Sequence, residues 1–293
     1  MSYSTQYQTL RVLRAFFTWL ADQPGFKSKI RHSDAEYFRL SEKEARIAKA
    51  PRETSVPTLE QIQRTLLVMP ITTDMERRNR ALLAFTLLTG MRDGAVASLK
   101  LKHVNLMEGN VIQDAREVQT KFSKTFTTWF FPVGTDVRCI VEDWIKFLRE
   151  EKLWSTDDPL FPATAVVNGQ SRQFEASGLS RNHWMNAGPI REIFRRAFAM
   201  AGLAYFNPHS FRKTLVQLGQ RLCRTPEEMK AWSQNLGHEA VLTTFLSYGA
   251  VASVRQAEII KALAGPTVAD MGPAQALAAL QKFLSDQTSQ RIL

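Results

Sequence analysis

The sequence predicts a mainly α-helical protein with a small antiparallel β-sheet, an α+β fold, and three observations carry that expectation. Apolar residues recur at helical spacing in segment after segment. One run, 110–133, is instead rich in Val, Thr and Phe behind the turn signal Glu108-Gly109-Asn110. Two prolines break the periodicity within 50–58.

Taken in order, residues 8–21 place Leu10, Leu13, Phe16, Phe17 and Leu20 on one helical stripe, with Arg11 and Arg14 largely off it. Such a stripe reads first as packing on a small bundle, and only second as a DNA-reading face. Between Lys27 and Arg52 basic residues alternate with acids, the pattern of a solvated surface. The proline-broken segment 50–58 marks a domain boundary, and Thr58-Leu-Glu-Gln61 then opens a helix as a capping box. Helices are expected over 58–69 and 75–89, then, after the strand-rich run, over 136–152, 188–202, 209–222, 226–235 and 239–247. Residues 265–274 read as a linker into a last helix carrying Leu277, Leu280 and Leu284 on one face.

With 293 residues, 44% of them apolar, the chain can bury a real core in one large domain or two small ones. The N-terminus lacks the pattern of a signal peptide and no stretch reaches membrane-spanning length, so a cytoplasmic protein is expected. Cys139 and Cys223 stand far apart without CxxC spacing, which suggests neither a disulfide framework nor a zinc site and leaves two buried, reduced thiols as the expectation. A formal charge of +10 makes a polyanionic partner plausible. Charge alone fits a ribosomal factor or a binder of anionic membranes equally well.

Five local features carry chemistry, each weak by itself. Arg92 follows a helix that ends at Gly90, in Leu88-Thr89-Gly90-Met91-Arg92. Lys121, in Gln119-Thr-Lys-Phe-Ser-Lys124, falls on the turn between two expected strands, where an exposed lysine is ordinary. His209 and Arg212 follow Asn207-Pro208 at a helix start, and a spacing of three puts them on the same face. His238 closes Leu236-Gly237-His238, and Tyr248 stands ten residues later behind Leu242, Phe245 and Leu246.

Their joint order is far more specific. Arginine, a sheet lysine, HxxR, GH and then tyrosine, spread over about 58–250, resemble the active site of the tyrosine site-specific recombinases, the family of phage integrases and the Xer and Cre recombinases. The resemblance implies a DNA breaking-rejoining catalytic domain over 57–264, preceded by a short or truncated helical DNA-binding region, 1–56, and followed by a linker and C-terminal helix, 265–293. It further implies a metal-free, cofactor-free transesterification through a 3′-phosphotyrosine on Tyr248. Arg92 and Arg212 would clamp the phosphate, while His209 and His238 would donate hydrogen bonds to it. His209 is also the candidate acceptor of the tyrosine proton. Lys121 would protonate the departing 5′-oxygen, with Lys124 as the local runner-up.

Implied partners are duplex DNA bearing inverted binding arms, four protomers on two such sites, and accessory proteins that set direction or bend DNA; the implied setting is the nucleoid of a bacterial or phage system. The C-terminal helix would dock on a neighbouring protomer or pack on its own domain. Three features depart from the family pattern. Ala95 stands where an acid commonly follows the first arginine by three positions, leaving Asp93 as the nearest acid. The interval from His238 to Tyr248 is one residue longer than in many members, and the region before the catalytic domain is shorter than the usual clamp. Two other readings keep the same residues: a type IB topoisomerase-like relaxing enzyme, and a non-catalytic DNA-binding regulator.

Overall fold

A computed structural model describes residues 1–50, 55–168 and 173–237, all of them within one compact unit, Met1–Glu239. The elements expected over 239–247 and 265–293 lie outside the described residues.

The N-terminal segment forms α1 (Tyr3–Ala21), a 3₁₀ turn (His32–Tyr37) and α2 (Glu42–Lys49). Phe17 stacks on Phe38 at 4.7 Å between ring centroids, Arg14 pairs with Glu36, and Lys49 lies 5.1 Å over the Tyr7 ring, so α1 packs against the two elements that follow it. The stripe of α1 is only partly used: Leu10, Phe17 and Leu20 are half-buried, whereas Leu13 and Phe16 stay exposed. The charge-rich stretch expected as plain surface contains α2, whose capping box of Ser41 and Glu44 supplies the start that its apolar content does not.

Helix α3 (Leu59–Val68) begins at the expected Thr58–Gln61 capping box, and α4 (Asp74–Thr89) at a second one, Thr73 with Glu76. Every residue of α4 from Ala81 to Thr89 is buried, because Ala-Leu-Leu-Ala-Phe-Thr-Leu-Leu is apolar on all sides and such a helix must be covered all round. Phe85 meets Phe161 at 5.3 Å, and α6 (Thr135–Lys146) packs along α4. Buried Arg78 on α4 donates to the Pro162 carbonyl at 2.9 Å and to Thr164 Oγ1 at 3.0 Å, tying this helix to the following sheet segment. After the short α5 (Asp93–Ala97), strands β1 (Val104–Asn105), β2 (Asn110–Gln113) and β3 (Phe126–Trp129) form an antiparallel sheet in the order β1-β2-β3, with Asn110 opposite Trp129 and Gln113 opposite Phe126.

Two expectations are corrected. A second antiparallel sheet pairs β4 (Thr164–Asn168) with β5 (Phe174–Leu179). Val166 and Val167 of β4 are both exposed, and among the described residues only the base of the hairpin, at Thr164, Ala165, Gly178 and Leu179, is half-buried, so its sequence shows no apolar alternation. The thiols are free but not buried: Cys139 is exposed and Cys223 half-buried. Val137, Val141, Trp144 and Ile145 form the inner face of α6, which turns Cys139 outward.

Helices α7 (Gly188–Met200), α8 (Pro208–Leu222) and α9 (Pro226–Asn235) complete the described chain. Phe194 and Phe211 join α7 to α8 at 5.0 Å between centroids, each fully buried side chain of this kind contributing about 1.5–3 kcal/mol. The α8–α9 contact is closer. A Cβ on Gly219 would lie 2.6 Å from the Trp232 ring nitrogen, which itself donates to the Leu215 carbonyl at 3.0 Å.

Candidate active site

Three of the six residues singled out in the sequence gather where α4, α5 and α8 meet. Helix α4 stops at Gly90 in the left-handed conformation, φ 60°, and the amide of Gly90 closes on the Thr86 carbonyl. A Cβ there would stand 2.8 Å from both Leu215 and Leu236, so the position needs glycine for space as well as for φ. The chain turns through buried Met91, and Arg92 becomes the residue preceding α5.

Helix α8 opens with Pro208 in its first turn, and Asn207 Oδ1 accepts the Ser210 amide at 3.0 Å, which fixes where His209 and Arg212 emerge. Arg212 is 4% exposed. Its Nη1 donates to the Gly90 carbonyl at 2.5 Å and its Nη2 to the Leu236 carbonyl. One guanidinium thus joins the end of α4 to the end of α9. Burial first, and then the charge of Arg92, push the pKa of Arg212 down; burial does the same to Arg92. The intrinsic value of arginine is high enough that both stay charged at any working pH.

His209 keeps an accessible edge at the start of α8, yet enough protein surrounds its ring to matter. Burial, then Arg212, Arg92 and Lys213, lower its pKa, against an opposing pull from Asp93. The neutral imidazole, able to accept a proton, is therefore the favoured form near neutrality.

Asp93, the nearest acid to Arg92 in sequence, is held by α7: Nε and Nη2 of Arg191 each lie 3.0 Å from its Oδ2, and its own Oδ1 accepts the Gly94 amide at 3.0 Å. Ala95, at the position where an acid was expected, is buried.

Lys121 falls on the β2–β3 connection, as expected, but the structure does not bond it to the arginine and histidine group among the described residues. It is exposed, with its ammonium 4.8 Å over the Phe122 ring. Phe122 and Ser123 both adopt positive φ, 61° and 51°, a conformation that costs a non-glycine residue about 1–3 kcal/mol. The root of this connection is firmer: Glu117 accepts from Lys100 and Lys102 at 2.9 Å each, and the Gln119 amide donates to Ser98 Oγ at 2.9 Å. His238 and Tyr248 lie outside the described residues.

The sequence did not single out Gln113, Thr128 and Asn235, which line a small recess together with Arg92 and Arg212. Gln113 Nε2 donates to Thr128 Oγ1 at 2.7 Å. Asn235 pairs with the edge of β3 like a peptide group, accepting the Trp129 amide at 2.6 Å and donating to its carbonyl at 2.9 Å. For Gln113 and Thr128 the only signal in the sequence was a polar residue at an inward strand position, and β2 and β3 are too short for an alternation to show it; Asn235 ends α9 and reaches β3 through a contact distant in sequence.

Residues 57–254 match the sequence model of the phage integrase family. The chain belongs to that family. Among solved structures, the XerA recombinase is 14% identical, with a TM-score of 0.50 over 90% of this chain and 91% of that one. The Tn1549 transposon integrase in complex with transposon right end DNA is 16% identical, with a TM-score of 0.53 over 90% and 81% of the two chains. At such identities the likeness shows the fold: this phage integrase family chain has the helical integrase fold with its small antiparallel sheets. No curated protein gives a significant match. Membership in the family supports site-specific DNA recombination, by cleavage and rejoining of DNA, as the class of activity. No described helix is long and apolar enough to cross a membrane, and no described group of His, Cys, Asp and Glu side chains is arranged to hold a metal ion.

Proposed function

We propose that the chain cuts and rejoins duplex DNA at specific sites, in integration or excision, through a covalent 3′-phosphotyrosine on Tyr248. The observation that carries the reading is the gathering of Arg92, Arg212 and His209 around the α4–α5 turn, with Arg212 fixed by two backbone carbonyls. A phosphodiester under attack accumulates negative charge on its non-bridging oxygens, and cations already aimed at that place stabilise the transition state without reorganising. Arg212, held by two carbonyls, and Arg92, partly buried beside it in the same recess, would supply these cations.

In the proposed step the Tyr248 oxygen attacks phosphorus, the new O–P bond forms and the bond to the 5′-oxygen breaks. The phenol proton passes to neutral His209, and Lys121 gives a proton to the departing 5′-oxygen. His238 donates a further hydrogen bond to the phosphate. A 5′-hydroxyl from the same or a partner strand then attacks the phosphotyrosine, restoring the phosphodiester and the phenol. Bond energy is kept in the ester, so rejoining needs no nucleotide hydrolysis.

The helical segment 1–56 would clamp the DNA, 57–264 would carry the chemistry, and 265–293 would form a linker and a helix. Four protomers would assemble on two sites with inverted arms, in the nucleoid of a bacterial or phage system. Deleting 1–55 should weaken binding and flatten the fall of affinity with salt, because fewer phosphate contacts release counterions. The reading is tested on a nicked suicide substrate followed by a two-site exchange assay: adduct and exchanged products are expected. Relaxation of any supercoiled plasmid by a monomer, without exchange, would make it a topoisomerase-like enzyme. DNA binding with no adduct would make it a regulator.

A further inference from the structure

The chain between β2 and β3 divides into a held root and a free tip, and charge holds the root. Glu117 accepts a hydrogen bond from Nζ of Lys100 and another from Nζ of Lys102, each at 2.9 Å, so one carboxylate is tied to two ammonium groups 17 and 15 positions earlier. Asp157 lies 3.4 Å from the first ammonium and 2.8 Å from the second, which holds both of them independently of Glu117. His103, buried beside them, adds a third attraction. Its Nδ1 accepts the Lys100 amide at 3.0 Å, which leaves the ring proton on Nε2, and Nε2 lies 3.6 Å from Glu117 Oε2. That separation is too long for a hydrogen bond, and buried Nε2 has no hydrogen-bond partner among the described residues, so its N–H dipole is left to act on the carboxylate.

The hold is carried forward along the chain. Val118 is buried, the Gln119 amide donates to Ser98 Oγ at 2.9 Å, and the Thr120 amide closes on the Val118 carbonyl at 2.7 Å. Ser98 caps the end of α5, the helix that follows Arg92, so the root is bonded to an element that begins at the site. Lys121 comes next, and residues 121–124 are all exposed. A residue spans at most about 3.3–3.6 Å, so the Lys121 backbone can stray only about 7 Å from Gln119 while the root holds.

We propose that Glu117 is a positioning residue for the cleavage step: drawn onto Lys100 and Lys102, it fixes the root of the β2–β3 connection and with it the region that the Lys121 ammonium can reach. The proposal rests on the reading of Lys121 as the donor to the departing 5′-oxygen. An exposed ion pair by itself adds little stability. Its effect here is on placement, where a misplacement of about 1 Å can cost about 10²-fold in rate.

Glu117→Gln keeps the shape of the side chain and removes its charge. In the full-length, DNA-free chain, hydrogen exchange read by mass spectrometry should be faster over 117–124 and unchanged over α8, whose protection reports an intact fold. On a nicked suicide substrate the variant should cleave ordinary DNA about 10-fold more slowly. Most of that loss should be recovered when sulfur replaces the bridging 5′-oxygen, because a thiolate leaves without a proton donor. In the Lys121→Ala background Glu117→Gln should cause no further slowing, since its effect runs through Lys121. Ser98→Ala, which removes the second tie, should show the same signs to a smaller degree.

A merely structural Glu117 gives a different pattern, a loss that persists on the sulfur-bridged substrate and adds to that of Lys121→Ala. That pattern overturns the proposal, as does a parental cleavage rate, or parental exchange over 117–124, in Glu117→Gln. If Lys121→Ala is neither slowed nor rescued, the reading of Lys121 as the acid is refuted and the placement role of Glu117 with it. A rescued Lys121→Ala beside an unrescued Glu117→Gln refutes the placement role alone.

Discussion

Arg212 and Lys121 are both cations assigned to one phosphate, and the fold treats them in opposite ways. Arg212 is buried, anchored by the carbonyls of Gly90 and Leu236 and bracketed by residues that leave no room for a Cβ at Gly90. Lys121 is exposed on a connection whose root is bonded through Glu117 and Gln119 and whose tip passes through two strained residues. The difference matches what the proposed mechanism asks of each. A group that stabilises charge at a fixed point gains by being preorganised, whereas a group that delivers a proton to an atom that moves away gains by reach.

The comparison predicts a graded series of effects. Arg212→Ala should be the most damaging change. Cleavage should fall by about 10²–10³-fold or more, and the Gly90 and Leu236 carbonyls, left without their donor, should each cost about 1–3 kcal/mol in a denaturant titration. Lys121→Ala should slow cleavage of ordinary DNA by about 10²-fold while leaving denaturant stability unchanged within about 0.5 kcal/mol. Replacing the bridging 5′-oxygen by sulfur, whose thiol has a pKa near about 8–9, should restore most of that rate for Lys121→Ala and none of it for Arg212→Ala. If Lys124→Ala is the variant rescued, the two lysines are assigned in the wrong order.

A purely structural probe sharpens the same contrast. Gly90→Ala should destabilise the chain by about 1–3 kcal/mol, seen as a lower Tm, because it combines positive φ with overlap on Leu215 and Leu236.

The smallest effect concerns pH. Burial is the leading cause that lowers the pKa of His103, His183 and His209, with Arg212 and Arg92 adding to it for His209. The unfolded chain therefore takes up protons first as pH falls, so stability is full above the unfolded value of about 6.5 and is lost as pH drops from there toward the folded values. Urea midpoints measured from pH 7.5 to 5 should decline, and His103→Gln should lessen the decline.

Much of this was legible in the sequence because its strongest signals are local. Thr58 and Gln61, Gly90, and Asn207 with Pro208 each announce a helix end by the chemistry of that end, and the residues between them carry the helical period. The order of Arg92, Lys121, His209 and Arg212 stood out through its resemblance to the recombinase pattern rather than through composition, and the structure brings Arg92, His209 and Arg212 near one another while Lys121 stays exposed. What was not legible depends on contacts distant in sequence. Arg191 meets Asp93, and Asn235 closes the edge of β3, only because α7 and α9 fold back onto earlier segments. The β4–β5 hairpin escaped because both its faces are largely open, so burial left no mark on the order of its residues.

The central claim is the covalent step, and one measurement addresses it directly. The full-length chain is trapped on a nicked suicide substrate, digested with trypsin, and the nucleotide-bearing peptide is identified by mass spectrometry. Peptide 231–255, bounded by Lys230 and Arg255, contains Tyr248 as its single tyrosine, and the account predicts that it alone carries the nucleotide and that Tyr248→Phe abolishes it. A nucleotide attached to the peptide of Tyr205, or a full yield of adduct from Tyr248→Phe, would contradict it.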